Sequence, residues 1–447
     1  MDGSLDAVII GGGIAGLAAG WDLRDRDVLL LEASDRTGGR IKSEARGDVW
    51  LNFGAHVFSG AGSVTDRLLR ETGVHAQQVP GRLAAVSLNG VTLASGGVES
   101  FPFRLPLSLG ARWNLITTGL KLCRAVSAYG KIAAPVPGET PAVRQQRMLD
   151  FMDDRSFTQF AGRMPEDVDL LFRSTLTRSS GEPEELAAGY GVGYFHLVWN
   201  REAGLSRNII GGSARFTDAL AAGLGERVHL GAEATAVTPD GAGVRVAWSE
   251  GGQAHEVRAR HAIVATPAYV TRQIVAGLPE ETAAALDAVA YGPYVVGAFL
   301  TGETGAMPWD DLYALATPKR SFSMLFNMGN VRLAGGAPRQ PCGSLMVYAA
   351  AGFARRLDGL DEAAIADRFR DDLVAIYPEA RDVVREVVVH RWARGLPYPR
   401  VGRSRLQAPL TRPLGRVHLA GDYLGTWYTE TAIQTATRAA AEVMATG

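Results

Sequence analysis

The sequence predicts an α/β fold with an additional α+β part, in which two domains are interleaved along the chain. Three observations support this prediction. The chain begins with an apolar run, a glycine-rich turn, a helix and a second apolar run that ends in an acid. It ends with a short apolar strand followed by an alanine-rich helix. Between the two ends, strand patterns and long helical patterns alternate, as expected when a second domain is inserted into the first.

The first apolar run, residues 7–10, leads directly into three glycines with G-x-G-x-x-G spacing, Gly11, Gly13 and Gly16. Gly11 permits the tight turn after the strand, and Gly13 lets the backbone approach a pyrophosphate. Gly16 lets the helix pack closely on the strand. The spacing alone is weak evidence in a chain with 53 glycines. With the strand before it and the acid after it, the spacing predicts a Rossmann-type dinucleotide-binding unit.

The helix that begins after this turn supplies the second half of the predicted binding site. Its first residues, Ile14 and Ala15, offer backbone N–H groups and the partial positive charge of a helix N-terminus to a phosphate. Glu32 ends the second apolar run, 21 residues after Gly11. Its carboxylate is placed to accept hydrogen bonds from a ribose diol and would repel a 2′-phosphate.

The loop after Glu32 indicates which dinucleotide is bound. Residues 32–40 read E-x-x-x-R-x-G-G-R, so that Arg36 and Arg40 bracket a pair of glycines. Two guanidinium groups are therefore available to phosphate where the backbone can come close. This run resembles the flavoprotein superfamily that contains monoamine and polyamine oxidases, protoporphyrinogen oxidase and carotenoid-type desaturases. The resemblance implies that the dinucleotide is FAD, with Ala33 and Gly39 among the residues that contact it.

The C-terminal end of the chain supports the same resemblance. A short apolar strand stops at Gly421 and Asp422, and a helix is predicted over about 430–444. The pattern resembles the superfamily's closing motif, which implies that Gly421 and Asp422 contact the diphosphate and ribityl chain of FAD. It also implies that the backbone around Thr429 and Ala432 faces the flavin ring. A helix N-terminus there suits the negative charge that develops on reduction.

Because the two ends must meet around one cofactor, the whole chain is predicted to be a single cooperative unit. We expect the FAD-binding domain to take residues 1–75, 205–268 and 389–447. The substrate-binding domain then takes residues 76–204 and 269–388.

The predicted elements between the two ends follow in chain order. They are strands at 50–58, 83–88 and 91–93, a mainly helical region at 106–190, a helix at 213–224, hairpin strands at 228–237 and 244–249, and a buried strand at 261–266. By the resemblance, the last of these returns the chain to the FAD-binding domain. Strands and helices alternate again from about 269 to 388.

Composition excludes several classes of protein. The 447 residues are 47% hydrophobic and 21% charged, which is ordinary for a globular chain, and the net charge of −1 gives no attraction to nucleic acid. No run reaches the 18 or more apolar residues of a spanning helix. The first strand begins by residue 5, which leaves no room for a signal peptide. We therefore predict a cytoplasmic protein that acts on a small organic molecule, with a homo-oligomer left open.

Two cysteines, Cys123 and Cys342, provide neither a disulfide framework nor a cluster of metal ligands. No metal site is predicted. Neither cysteine lies in the segment that resembles the flavin-linked region of some relatives, so FAD is predicted to be non-covalent.

A helix predicted over 108–134 carries apolar positions at helical spacing with basic residues between them. One interpretation is a membrane-surface helix that collects an apolar substrate. The interpretation that we favour is an ordinary helix of the substrate-binding domain.

A flavin accepts a hydride at N5, so the residues to search for are those that line the ring. Trp427 and Tyr428 precede the last helix. By the resemblance, Tyr428 takes the position of one of two aromatic residues that flank the substrate amine in flavin amine oxidases. Two aromatic faces can orient an amine, and packing of both rings is the alternative.

Three further positions are candidates. Gly54 and Ala55 are predicted to pass beside the flavin ring, and His56 is a general base, a hydrogen-bond partner of the flavin, or a structural histidine. The third segment, around Trp392, resembles the one that re-enters the FAD domain in protoporphyrinogen-oxidase-like enzymes. There Trp392 would pack on the cofactor and Tyr398 would reach the pocket.

Two expectations rest on the resemblance alone. Ala234 falls where the family reads the adenine edge through backbone N–H and C=O groups. Many amine oxidases also place a lysine near N5 that helps oxygen to react, and the equivalent position here is expected to be Gly297. Lys319 is the alternative source of such a lysine.

The sequence therefore predicts an FAD-dependent oxidoreductase that moves a hydride from a substrate carbon to flavin N5. Oxidation of an amine to an imine, with O2 or another acceptor, is favoured by Tyr428. Dehydrogenation of a larger cyclic or isoprenoid substrate is the alternative, favoured by His56 and by the missing lysine. A sugar mutase would need an arginine pair that we cannot assign, and a non-catalytic relative would have lost its flavin contacts.

Overall fold

A computed structural model describes residues 5–81, 84–199, 205–426 and 428–446. It confirms the predicted α/β architecture. The strands are β1 (Leu5–Ile10), β2 (Val28–Glu32), β3 (Ser43–Arg46), β4 (Val49–Asn52), β5 (Phe58–Ser59), β6 (Ala76–Gln78), β7 (Ala85–Leu88), β8 (Val91–Leu93), β9 (Leu205–Ile209), β10 (Val228–Leu230), β11 (Ala232–Asp240), β12 (Gly243–Glu250), β13 (Gln253–Val264), β14 (Ala290–Thr301), β15 (Ala314–Ala316), β16 (Met324–Asn327), β17 (Gly343–Ala350), β18 (Val384–Tyr398) and β19 (Val417–Leu419).

The α-helices are α1 (Ile14–Asp22), α2 (Val64–Glu71), α3 (Phe101–Arg104), α4 (Leu109–Ala133), α5 (Pro141–Asp150), α6 (Phe157–Ala161), α7 (Glu166–Leu176), α8 (Ala188–Trp199), α9 (Ala214–Ala222), α10 (Ala268–Ile274), α11 (Glu280–Asp287), α12 (Gly352–Arg355), α13 (Glu362–Ile376), α14 (Ala380–Val383), α15 (Gln407–Thr411) and α16 (Tyr428–Ala445). Short 3-10 turns connect several of these helices, and two of them, Thr177–Ser179 and Asp422–Leu424, lie close to the candidate site.

The first large sheet has the strand order β10-β2-β1-β13-β12-β11, with β19 paired to the other edge of β13. Strand β1 lies parallel to both β2 and the second half of β13. Its residues 7–10 are buried on both faces, which explains why the sequence shows a continuous apolar run rather than an alternating one. Helices α1 and α16 pack together through alanines on one face of this sheet.

The hairpin predicted at 228–237 is two strands rather than one. Val228–Leu230 forms β10, which pairs in parallel with β2, and Gly231 then turns the chain with φ +69°. Only β11, which starts at Ala232, forms the hairpin with β12. The sequence pattern did not show this break, because both strands alternate in the same way on either side of the glycine.

The second large sheet has the order β18-β14-β17-β16-β15-β7-β8, with β14 and β17 antiparallel at its centre. Helix α13 packs on one face of it, and residues around β3 and β4 pack on the other. The domain limits remain a prediction, and the expected limit at residue 389 falls inside β18, which continues to Tyr398.

Helices α4 to α8 form a layer beside the second sheet, in the region predicted to be mainly helical. Helix α4 exposes two large apolar side chains near its start, since Leu109 is 83% and Trp113 is 68% exposed. Within the described part of the chain, no helix combines the length and the apolar character that crossing a bilayer requires.

Candidate functional site

The turn between β1 and α1 has the geometry that the glycine spacing predicts. Gly11 adopts φ +102°, a conformation that side chains disfavour, and a Cβ at Gly16 would overlap the carbonyl oxygen of Gly11. Gly13 is different, because a Cβ there would meet no atom within 4 Å. Gly13 caps α1 without a side-chain hydrogen bond. The N–H groups of Ile14 and Ala15 at the start of α1 therefore lie next to the open space at Gly13, where the sequence predicts a diphosphate.

Glu32 closes one side of this turn. Its Oε2 accepts a hydrogen bond from the N–H of Gly12 at 2.6 Å, and its Oε1 accepts from the N–H and the hydroxyl of Ser34 at 2.8 and 2.6 Å. These three hydrogen bonds fix the orientation of the carboxylate. Because a carboxylate can accept about four hydrogen bonds, one acceptor position is left. The remaining capacity suits one ribose hydroxyl. Ala33 lies beside it and is exposed.

Arg36 is used within its own loop. Its Nη2 donates to the carbonyl of Gly39 at 2.5 Å, and its Nη1 donates to the carbonyls of Thr37 and Ile41 at 3.0 and 3.3 Å. Burial lowers the pKa of Arg36, although nearby acids oppose this effect. The structure thus gives Arg36 the role of shaping the loop that carries Gly39 next to Gly13, rather than a free guanidinium group.

Arg40 and Asp422 join the two ends of the chain. The Arg40 guanidinium donates to both carboxylate oxygens of Asp422 at 2.9 Å, and its Nη1 also donates to the carbonyl of Gly395 at 3.1 Å. The Arg40 side chain is 30% exposed, whereas that of Asp422 is 8% exposed. Arg40 therefore keeps donor capacity toward the groove, while Asp422 is held in a fork-shaped pair. Gly421 is tied to α16 by a hydrogen bond from its N–H to Thr435 Oγ1 at 3.0 Å.

Gly54 and Ala55 cross beneath this pair. A Cβ at Gly54 would overlap the carbonyl oxygen of Arg40, and the N–H of Ala55 donates to the same oxygen at 3.2 Å. The backbone of residues 54–55 is therefore in contact with the loop that holds Arg40, and its place beside the flavin ring stays a prediction.

His56 is 8% exposed, and its Nδ1 lies 3.1 Å from the carbonyl of Gly54. This contact places the proton on Nδ1, so Nε2 is an acceptor, and it is buried without a hydrogen-bond partner among the described residues. Burial lowers the pKa of His56 to about 4. His56 is consequently neutral at pH 7 and packs edge-on against Phe326 with ring centroids 4.7 Å apart.

Trp392 and Tyr398 lie on β18 and are both anchored. Trp392 Nε1 donates to the carbonyl of Phe53 at 2.6 Å, and the indole packs with the cluster that contains Tyr294 and Phe326. The hydroxyl of Tyr398 donates to Glu185 Oε2 at 2.9 Å, and its ring is 6% exposed. The Tyr398 hydroxyl is thus already engaged by the protein.

A cavity of about 310 Å³ brings several predicted residues together. Tyr398, Asp422 and Tyr428 all line it, together with Arg403 and the backbone of Gly425. The cavity therefore adjoins both the Arg40–Asp422 pair and the start of α16. Burial lowers the pKa of Arg403 to about 10.

Tyr428 stands at the first residue of α16 in a left-handed conformation, with φ +47°. Its hydroxyl is hydrogen bonded to the hydroxyl of Tyr190 at 2.8 Å, and its ring meets Tyr194 edge-on at 6.5 Å. Burial raises the pKa of Tyr428 well above its usual value, and that of Tyr190 as well. Both phenols are therefore protonated at neutral pH. Trp427, predicted beside Tyr428, lies outside the described residues.

Beyond Tyr428 the structure assembles an aromatic cluster that the sequence analysis did not identify. It surrounds Arg178 and consists of Tyr190, Tyr194, Tyr294, Phe326, Tyr348 and Tyr428. The Arg178 guanidinium lies over the rings of Tyr194 and Phe326, 5.5 Å from each centroid. One local signal was available, because Tyr190 and Tyr194 are four residues apart on the glycine-rich helix α8 and so share a face.

The remaining predicted contacts lie at the edges of the site. Ala432 is 5% exposed in the core between α1 and α16, and Thr429 is partly buried beside it. Ala234 lies on β11 where the register shifts between Ala234 and Ala236. Such a bulge leaves backbone groups outside the ladder, which suits a backbone contact with an adenine.

Gly297 was expected to take the position of the flavin-facing lysine. This expectation is wrong, because a side chain at Gly297 would point away from the site. A Cβ at Gly297 would meet the ring of Phe369 on α13, on the far side of the sheet. Because side chains alternate along a strand, Val296 and Ala298 face the site instead. Lys319 is also elsewhere, since its Nζ pairs with Asp167 at 2.6 Å. The described part of β14 carries no lysine on either face.

A family model described as flavin containing amine oxidoreductase matches residues 14–444. Amine oxidase [flavin-containing] A of Sus scrofa is 28% identical over 253 residues, which is 53% of this chain and 45% of that protein. The matched region thus spans about half the length of the curated relatives.

Solved structures share the fold over the whole chain. A wild-type putrescine oxidase bound to putrescine has a TM-score of 0.76 at 21% identity, with 99% of both chains covered. Cyclohexylamine oxidase from Brevibacterium oxydans IH-35A has a TM-score of 0.78 at 20% identity, again with 99% of both chains covered. At these identities the likeness establishes the architecture.

Proposed function

Because this chain belongs to the family of flavin-containing amine oxidoreductases, we propose that it oxidises the C–N bond of an amine to an imine, with a hydride passing from the substrate carbon to N5 of FAD. Its cofactor is FAD, and the protein is an FAD-dependent oxidoreductase. What we propose is that the oxidised bond is the C–N bond of an amine.

The groove at the start of α1 fits the diphosphate of FAD. Gly13 provides open space, the first N–H groups of α1 lack a side-chain cap, and Arg40 keeps an exposed face beside the groove. Glu32 would hold the adenosine ribose. The N-terminus of α16 would face the pyrimidine end of the flavin, where its partial positive charge is favourable.

One observation carries the choice of an amine. Tyr428 begins α16, lines the cavity next to Asp422, and presents its ring to Tyr194 while its hydroxyl bonds to Tyr190. A fixed aromatic face beside the flavin end of the groove can orient an amine nitrogen through its π electrons. The hydrogen bond to Tyr190 holds that face in one orientation.

Neither His56 nor the tyrosines of the aromatic cluster are suited to removing a proton at neutral pH. His56 has a pKa lowered to about 4 by burial, and burial raises the pKa values of Tyr190, Tyr194 and Tyr428. The neutral amine is therefore the species expected to react, with its proton lost to water before oxidation. His56 Nε2 is an acceptor without a hydrogen-bond partner in the described part of the chain and would receive an N–H from the substrate or the flavin.

Replacing Tyr428 tests this proposal. Tyr428→Ala is expected to keep FAD bound but to lower kcat/KM for the best amine by about 10- to 100-fold, because the orienting face is lost. Tyr428→Phe keeps the ring and Tyr190→Phe removes the same hydrogen bond from the other side, so both are expected to retain most activity. The measurements are flavin absorbance for cofactor content and anaerobic flavin bleaching by amines. Unchanged turnover in Tyr428→Ala would make Tyr428 a packing residue.

A second candidate function, dehydrogenation of a larger cyclic or isoprenoid substrate, is favoured by the site-facing side of β14. Tyr294, Val296 and Ala298 offer no lysine there, so a fast reaction with O2 lacks the group that helps it in many amine oxidases. Peroxide assays with an amine panel, run beside product analysis with polyene and porphyrinogen substrates, distinguish the two functions. Oxidation of the polyenes or porphyrinogens alone would replace the amine proposal.

We also propose a reducing environment for the protein and a non-covalent FAD. Cys123 and Cys342 are free and exposed, on α4 and just before β17. Free exposed thiols fit a reducing compartment such as the cytoplasm. Neither cysteine is part of β18, which supports non-covalent FAD. Release of all flavin on denaturation with acid would test this directly.

A further inference from the structure

Arg178 is fixed by its backbone at a point where a short 3-10 turn meets the second sheet. Its carbonyl accepts a hydrogen bond from the Tyr294 hydroxyl on β14, and the Ser180 hydroxyl donates to the carbonyl of Gly292 at 3.1 Å. Ser180 itself adopts φ +74°, in the left-handed region. The turn is therefore held against β14 at Arg178 and at Ser180, so the position of the Arg178 backbone is set by the fold.

The guanidinium is enclosed by aromatic groups. Tyr194, Phe326 and Tyr348 are only 3%, 1% and 6% exposed, yet Arg178 itself keeps part of its surface accessible. Arg178 is therefore partly accessible while the rings packed around it are not. Tyr348 hydrogen bonds to the Arg178 side chain, while the Arg178 Nε is buried without a partner among the described residues.

No carboxylate balances this charge. Across the residues that the structure describes, every ion pair within 4.0 Å involves a different arginine, lysine or histidine. Arg178 cannot lose its proton in a protein, so the charge remains. An unpaired buried charge is costly, and proteins retain one mainly where a ligand supplies the counter-ion. Two other arginines lie at the site. Arg40 has such a partner in Asp422, and the buried Arg403 instead donates to Gln407 Oε1 and to the carbonyl of Tyr423.

We propose that Arg178 binds an anionic group of the substrate, a carboxylate, so that the amine oxidised here belongs to an amino carboxylate. This inference rests on the proposed amine oxidation and names its substrate class. The guanidinium lies over Tyr194, and Tyr194 in turn meets the ring of Tyr428. One substrate can therefore place its carboxylate at Arg178 and its amine at Tyr428. A guanidinium presents a fork that matches a carboxylate in two hydrogen bonds.

The same charge disfavours diamines and polyamines. Such substrates carry a second ammonium group, and the residues around Arg178 are neutral tyrosines with pKa values raised by burial. The repulsion between ammonium and guanidinium is strong in a site with little water. The chain thus shares its fold with a putrescine oxidase while its own site favours a different substrate class.

A binding experiment tests the inference without turnover. The FAD-loaded enzyme is titrated with phenylacetate, 3-phenylpropanoate and indole-3-acetate, and with the neutral amide of each acid, while the flavin spectrum is recorded. Arg178→Met is expected to raise the Kd of the preferred acid by roughly 100-fold and to change that of its amide by less than about threefold. Arg178→Lys keeps the positive charge but not the two-pronged guanidinium. Its Kd for the preferred acid is expected to lie between those of the wild type and of Arg178→Met.

The controls separate binding from folding. Flavin content and circular dichroism show whether Arg178→Met is folded, and Arg178→Lys provides a second variant if it is not. Arg70→Met removes an arginine that is 72% exposed on α2 and is expected to leave every Kd unchanged. Equal Kd values for acids and amides in the wild-type enzyme, or no acid whose binding depends on Arg178, would overturn the inference.

Substrate pairs that differ only in the carboxylate distinguish this inference from the proposed function. Phenylalanine and tyrosine are compared with 2-phenylethylamine and tyramine by anaerobic flavin bleaching. We expect faster bleaching by the amino acids and a reversed preference in Arg178→Met. Oxidation of the simple amines alone would refute the inference and keep amine oxidation. Acid binding that depends on Arg178, with no amine or amino acid oxidised, would refute amine oxidation and keep the anion site.

Discussion

The dinucleotide groove and the aromatic cluster around Arg178 are built in different ways. The groove consists largely of backbone, held open where Gly13 lacks a side chain and closed where Gly16 lies against Gly11. The cluster consists of side chains from five separate elements, which include α8, β14 and the start of α16. The groove can therefore be recognised from residues close together in the sequence. The cluster exists only after distant elements have packed.

This difference also separates what each region tolerates. A backbone site depends on the absence of side chains, so adding one methyl group is enough to destroy it. A side-chain site depends on the identity of each group, and single replacements change its chemistry while the fold remains. Substitutions in each region test that contrast, and their expected effects differ in size.

The largest effect is expected from two alanine substitutions in the same turn. Gly16→Ala places a Cβ onto the carbonyl oxygen of Gly11 and is expected to destabilise the protein by about 3 kcal/mol or more. Gly13→Ala adds the same methyl group where no atom lies within 4 Å. It is expected to leave the apoprotein as stable as wild type and to weaken FAD binding alone. Denaturant unfolding of apoprotein and holoprotein measures both effects. Equal stabilities of the two apoproteins would contradict the backbone account of the groove.

A smaller effect is expected from the ion pair that joins the chain ends. Arg40→Met leaves Asp422 without its partner at 8% exposure, and because Arg40 is 30% exposed we expect a loss of about 2 kcal/mol of unfolding free energy. Flavin content should also fall. The matched control is Arg70→Met, which removes the exposed partner of Asp66 and is expected to cost less than about 1 kcal/mol. A similar cost for both variants would show that the pair does not hold the termini together.

The smallest effect concerns His56 and pH. Burial lowers its pKa from 6.5 to about 4, with a further contribution from the charge of Arg178, so the unfolded chain binds the proton more tightly than the folded one. Stability must therefore fall as pH drops below 6.5, and the loss levels off near pH 4. Between pH 7 and pH 5 this histidine accounts for roughly 2 kcal/mol.

The variant His56→Gln isolates this contribution, because all carboxylates titrate alike in both proteins. The unfolding free energy of each protein is measured with denaturant at pH 7 and pH 5. Between these two values the free energy is expected to fall by roughly 2 kcal/mol less in His56→Gln than in the wild type. Parallel pH profiles would mean that His56 is already protonated in the folded protein. When kcat/KM is measured against pH, no change due to His56 is expected near pH 6.5, because its pKa in the folded protein is about 4.

Much of the fold and of the groove could be predicted from the sequence. The G-x-G-x-x-G spacing and Glu32 predicted β1, α1 and β2, and the resemblance at residues 32–40 and 421–432 predicted FAD. These features are local, because each depends on residues within about one helix length. The prediction failed where the partner was distant, as with the break at Gly231, which exists because β10 pairs with β2.

The sequence by itself predicted the dinucleotide site, since a backbone that must approach a phosphate requires glycine at fixed spacing. Only the tertiary structure decided which face of β14 meets the site, so that Gly297 faces Phe369 and Val296 faces inward. It also decided that Arg178 lies among tyrosines, with no carboxylate of the described residues paired to it. The physical reason is that a charge is defined by its neighbours in space, and those neighbours come from segments that the chain brings together only on folding.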